Sequence, residues 1–559
     1  MELSKIAARF LSLALLLISP LAATEPSQIL YLMQTGNLAS ALEEYNKRYQ
    51  ERGCHDLETL QKIGLILLNQ GSRSKDPEVQ LITLFGAGVS MNDSVQYILE
   101  EAVQNPDPRF QLIALSLLSK FKNDTVDEVV NRAMTSPFLI IRAEGAVYLA
   151  EKKHPKAFGQ IDSLMQKAPA EALPIFPELF ALLGTHSAIK ALQRLLLHPN
   201  EEVRTSAILS AAKFGRDDLL PNIRRLAGLH NVATREACAV ALGMLKDESS
   251  VNRLHEFTRS SSPSVRLAAF QALYKLGREE MRKNIEDLGK QEEIFAISIL
   301  GSMPGCEPIL RPLLNSSNIQ VRMNAALALL ELRDPACCGA LQEILIKDFR
   351  DLAFVQIHSH GRGLTAWRVV PSAHHKFKED PSIIELSDGL RTLVLEKSLE
   401  LPEDTFFRIA NKIFEKQQND LVPLTTHLLE NLQTPEAIAL LKKHREQIGA
   451  PLIRNYCNLA LFNIKEEGPY EEALILWTSS QLMHDLINFK ATLTSNFKQT
   501  NLSSYQLTPE ETSRLLIEAF ESFTKRRNER SINLLLHAIQ HGNQKNRYAL
   551  AGLLILAAE

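Results

Sequence analysis

Residues Pro263–Gly277 read PSVRLAAFQALYKLG. Counted from Arg266, the apolar residues Ala269, Ala272, Leu273 and Leu276 stand at +3, +6, +7 and +10. That spacing lines one stripe of an α-helix. The same phase returns after Arg322 (Ala325, Ala328, Leu329, Leu332), Arg235 (Cys238, Ala241, Leu242, Leu245) and Arg204 (Ala207, Ser210, Ala211, Phe214). Gln111 gives Ala114, Leu117, Leu118 and Phe121; Arg142 gives Gly145, Tyr148 and Leu149, with Lys152 breaking the last position. The anchors Gln80, Gln111, Arg142, Arg204, Arg235 and Arg266 are separated by 31, 31, 62, 31 and 31 residues. The 62 is two periods and hides a degenerate unit around Leu173, disturbed by Pro174 and Pro177. One irregular unit, near Glu292 to Leu300, lies between Arg266 and Arg322.

A second amphipathic segment precedes each anchor, for example Ala188–Leu197 and Ile309–Leu314. Polar or Pro-containing clusters (HPNEE, SSSPS, LNSSN) separate the two. Each unit therefore predicts helix, turn, helix. Such a pair cannot bury its stripe alone, so neighbours must stack. Small residues at +3 and +6 predict close helix approach. The anchors, recurring in register, read as a structural ladder bonding to turns and carbonyls.

Composition agrees. The chain has 559 residues, 45% hydrophobic but only 6% aromatic, with 24 Gly. Leu and Ala carry the apolar content, and both favour helix, whereas a sandwich or barrel needs more β-branched and aromatic residues. Lys and Arg total 62 against 65 Asp and Glu, a net charge of -3. That balance offers no footprint for nucleic acid.

The V-R pairs Val203-Arg204, Val265-Arg266 and Val321-Arg322, with Asp76-Pro77 and Asp107-Pro108 at the inter-helix turn, carry a resemblance. The pattern resembles HEAT repeats, in particular the short PBS-lyase HEAT-like variety, over about residues 75 to 345. The resemblance implies an all-α fold: a right-handed α-α superhelix, or α-solenoid, of helical hairpins. It implies no single function, since such arrays serve many roles. Arg454 and Arg547 start two further matches near the C-terminus. Gly36, Leu38, Ala41 and Tyr45, and again Gly468, Tyr470, Ala473 and Trp477, resemble half of a tetratricopeptide repeat.

The helical period fails over 346–381. AFVQIHS and LTAWRVV are β-rich runs joined by His360-Gly361-Arg362-Gly363, which predicts a β-hairpin. Insertions in solenoids often sit on the binding face. Arg362, Trp367, Arg368, His358 and His360 are the candidate protein-binding residues here. His358, His360, His374 and His375 could seed a metal site, but no carboxylate or Cys ligand interleaves, so the expected reading is solvated histidines and no metal or cofactor.

Met1 to Arg9 carry Lys5 and Arg9, Phe10–Ile18 is apolar, and Leu21-Ala22-Ala23 follows Pro20. This is the layout of a cleaved secretory signal peptide, and the run is too short to span a bilayer. It predicts export to a bacterial periplasm or cell envelope, or secretion, with no transmembrane helix in the mature chain. The expected organisation is a signal peptide at 1–23, a helical cap at 25–72, the array at 75–345, the insertion at 346–381 and further helical repeats at 382–559.

Two more expectations follow. The six cysteines include no CxxC and predict mostly free thiols. Ala549 to Ala558 lacks charge, so this last helix must be covered by the insertion, a second copy or a partner. The sequence shows no G-x-S-x-G, H-E-x-x-H, Walker or G-x-G-x-x-G motif. The reading is a non-enzymatic exported scaffold with protein partners. Two others stay open: a lyase-like or metal-dependent enzyme acting through the insertion, and an envelope protein anchored by its uncleaved N-terminus.

Overall fold

The computed structural model describes residues 26–121, 124–346, 352–358, 365–371, 381–487 and 507–559. Residues 1–23, read from the sequence as a signal peptide, lie outside them. Helices dominate, and they divide into two compact units. One comprises residues 1–129 and 467–559, the other 130–466. The boundary falls inside the 75–345 array, and the two chain ends share one unit.

In the 130–466 unit the helices come in pairs. His186–Leu195 precedes Glu201–Lys213, Leu220–Ala227 precedes Val232–Met244, Val251–Phe257 precedes Pro263–Lys275, and Glu307–Leu313 precedes Ile319–Glu331. The second helices of neighbouring pairs lie side by side, so the pairs stack as an α-solenoid. The residues at +3, +6 and +7 from Arg266 are at most 1% exposed. The degenerate unit shows what its prolines do. A 3-10 segment, Ala170–Ile175, replaces the start of the second helix, leaving only Phe176–Leu183. The irregular unit is closed by Glu293, whose carboxylate accepts from Ala296 N at 2.6 Å and caps helix Ile294–Leu300.

The anchors act alike. Each side chain reaches back six residues to a carbonyl of the inter-helix turn. Gln80 and Gln111 donate to Ser74 O (2.7 Å) and Asn105 O (2.5 Å). Arg142, Arg204 and Arg235 donate to Ser136 O (3.0 Å), His198 O (2.8 Å) and Leu229 O (2.5 Å). Arg266 and Arg322 donate to Ser260 O and Ser316 O, both at 2.7 Å. Carbonyls left open at the end of each first helix are thereby satisfied. Arg454 and Arg547 differ. Among the described residues neither makes this bond, although Cys457, Ala460, Leu461, Leu550, Leu553 and Leu554 keep the apolar phase, each at most 2% exposed. Other side chains close those turns: His444 bonds Gln447 at 3.0 Å, and Asn543 accepts from Lys545 N at 3.0 Å.

Close stacking is made by a position outside the +3, +6, +7, +10 pattern. Gly243, at +8 from Arg235, abuts Ala272, at +6 in the next unit; a Cβ on Gly243 would lie 2.6 Å from Ala272 Cα. Gly88 and Leu117 repeat the relation, as do Gly301 and Ala328.

In the other unit the terminal helix, Asn546–Ala558, packs against both Leu57–Ser72 and Pro77–Ser90. Ala549, Leu550, Ala551, Leu553, Leu554, Ile555 and Ala557 are each at most 3% exposed. The cover for this helix is therefore the N-terminal part of the same chain, not the insertion, a second copy or a partner. Self-association through it is accordingly unsupported, because its apolar surface is consumed internally. Backbone approach is close: a Cβ on Gly64 would lie 2.6 Å from Ile555 Cγ1 and 2.9 Å from Ala551 O. Polar contacts rim the seam. Lys545 pairs with Glu78 and lies 3.7 Å from Asp76, and Asn92 Nδ2 donates to Glu559 Oε1 at 2.9 Å.

Candidate protein-interaction surface

The insertion's described part is a pair of strands. β1 (Leu352–His358) and β2 (Thr365–Pro371) run antiparallel, with His358 opposite Thr365, Gln356 opposite Trp367 and Val355 opposite Arg368. Isolated two-stranded ribbons are marginal in water, and this one is supported by helices of its own unit. β2 lies against Ile294–Leu300 and Ile319–Glu331, and β1 lies beside Pro381–Lys397. Ala366 is 1% exposed. The ribbon thus rests on second helices of the last repeats. Of the sequence candidates, His358, Trp367 and Arg368 fall on these strands. His360 and Arg362 lie outside the described residues, as do His374 and His375.

A small cleft lies between Ile319–Glu331 and Pro381–Lys397. Ser298, Asn324, Leu327, Leu390, Leu393 and Val394 line it. Asn324 is held by its bond to Gln320 O at 2.8 Å, and Lys397 pairs with Glu331 at the rim. Leu393 is 41% exposed. The floor is aliphatic with one ion pair at its edge, chemistry suited to an apolar side chain of a partner. The helix Pro381–Lys397 is positioned by Arg391, which is buried, donates to Leu345 O at 2.5 Å and pairs with Asp420.

The repeat also contains an ion-pair motif that sequence reasoning missed. Arg224 grips Asp247 through two bonds, at 2.8 and 2.7 Å, and Arg311 holds Asp334 at 2.8 Å. Both pairs span 23 residues, from one unit's first helix to the start of the next. The repeated Arg-to-Asp spacing was the available signal. The Arg224 guanidinium, with Ser250 and Ser249 hydroxyls, holds the Asp247 carboxyl well below the usual carboxylate range. These pairs set the relation between units.

The cysteines are all free thiols; Cys54 is exposed and the other five are buried. Burial pushes the Cys337 thiol up to about 12 and raises Cys238 and Cys457 as well. Such thiols are poor nucleophiles. Among the described residues no group of three or more His, Cys, Asp or Glu could hold a metal, and no helix is long and apolar enough to cross a membrane.

No family model and no curated protein matches the chain. Solved structures do. The chain is similar to the complex of CpcE and CpcF of phycocyanin lyase from Nostoc, at 18% identity over 38% of this chain and 89% of that one, with a TM-score of 0.29. It is similar to Kap121p bound to Pho4p, at 13% identity, 89% and 60% coverage and a TM-score of 0.37. A chain of the Kap95:Nup1 complex matches at 12% identity, 94% and 66% coverage and a TM-score of 0.32. At these scores the likenesses decide nothing about role, and the α-solenoid rests on the helix pairing itself.

Proposed function

We propose that the chain is an exported, non-enzymatic helical-repeat scaffold that binds protein through its solenoid surface and the 346–381 insertion. One observation carries the binding surface: β2 lies against the second helices Ile294–Leu300 and Ile319–Glu331, and Ile319–Glu331 also lines the aliphatic cleft of Leu327, Leu390 and Leu393. A stacked array presents such a surface over a long span. Export rests on the basic, apolar and small-residue order of residues 1–23.

Two measurements test this reading. Cross-linking capture from the native compartment compares the intact chain with one lacking 353–377. The expected result is a protein partner held by the intact chain and lost by the shortened one; equal capture removes the insertion from the binding surface. N-terminal sequencing of the mature protein should start between Ala23 and Glu25. A start at Met1 overturns cleavage of the leader.

A further inference from the structure

His537 and His541 stand four residues apart on helix Glu529–His541, so they share one face. Their ring centroids are 4.7 Å apart, with the planes inclined at 48°. The helix is held by its other side, where Ile532, Leu535, Leu536 and Ile539 are at most 4% exposed. The two imidazoles are exposed. We propose that His537 and His541 form a two-histidine chelate for a borderline divalent transition-metal ion of the zinc class, with water completing the coordination shell.

The ring separation supports this. An imidazole nitrogen sits about 2.0–2.1 Å from such an ion, which places each ring centroid about 3.2 Å from it. Ligand angles between about 90° and 110° then separate the centroids by about 4.5–5.2 Å. The observed separation falls within that range. Imidazole suits borderline ions such as zinc, while calcium and magnesium prefer oxygen. Bound metal would tie the last turn of this helix, just before Lys545, which grips Glu78 at the seam between the chain ends.

The test uses the full chain with His358, His360, His374 and His375 replaced by alanine, which removes the insertion's competing ligands. Titration with Zn2+ after chelator treatment should show one equivalent bound and a raised unfolding temperature. Adding His541→Ala should weaken binding by more than about tenfold, since loss of an outer-shell partner alone costs that much. It should also abolish the temperature shift. If the alanine variant loses helicity, His541→Gln replaces it. Zinc affinity unchanged by either variant, or no zinc bound by the parent, overturns the proposal.

Discussion

Gly552 of the terminal helix rests directly on the backbone of Gly86, so that a Cβ on Gly552 would overlap the Gly86 carbonyl oxygen. The two residues are far apart in sequence, yet their helices touch through bare backbone. Gly552→Ala should therefore destabilise the protein by about 1–3 kcal/mol or more, as overpacking does where the neighbour is main chain. Gly159→Ala, with nothing within 4 Å of the added carbon, should change stability by no more than about 1 kcal/mol, in the stabilising direction. Denaturant unfolding of both variants makes the comparison.

Ending the chain after Asn543 removes the helix that covers Leu57–Ser72 and Pro77–Ser90. The apolar faces of both would meet water, so the shortened protein should bind a hydrophobic dye and aggregate on gel filtration. A shortened protein that stays monomeric and unfolds at the parental temperature would sink the idea that this helix completes the unit.

The Arg224–Asp247 pair predicts a pH dependence. A carboxyl held low in the folded state stabilises above its unfolded pKa of about 3.9. That contribution is lost as pH falls through the lower folded value. Asp247→Ala should cost about 1–3 kcal/mol at neutral pH, because it leaves the guanidinium and two hydroxyls without their acceptor. The gap between parent and variant should narrow steadily below about pH 4. A gap constant from neutrality down to pH 2 would refute the assignment, the unfolding midpoint being read at each pH on the scale of about one unit.

Arg266→Ala should lose about 1–2 kcal/mol by uncovering the carbonyls of Ser260 and Ser261, which Arg266 Nη1 meets at 2.7 and 3.1 Å. Arg266→Gln should recover part of the loss, because Gln80 and Gln111 make the same six-residue reach with an amide. Equal stability of the two variants would show that the anchor's bond to the turn is without energetic weight.

The sequence by itself determined the repeat. A stripe at +3, +6, +7 and +10 is a property of one helix, and the anchor's reach to a carbonyl six residues back is equally local, so both were legible without any partner. The two strands of the insertion were legible for the same reason, since a β-rich run is a local signal; the glycine segment between them lies outside the described residues. Only the tertiary structure decided what covers the terminal helix. An apolar face states that it must be buried and carries no address for its cover. The match between Gly552 and Gly86 is a complementarity of two surfaces: Gly86 stands at the small +6 position after Gln80, but Gly552, at +5 from Arg547, lies outside the repeated pattern. The Gly243–Ala272 approach and the Arg224–Asp247 grip are likewise relations between units, so a reading of one unit at a time misses them. His537 and His541 were visible as a spacing, but their shared face became a candidate site only once ring separation and the packing of the helix behind them were known.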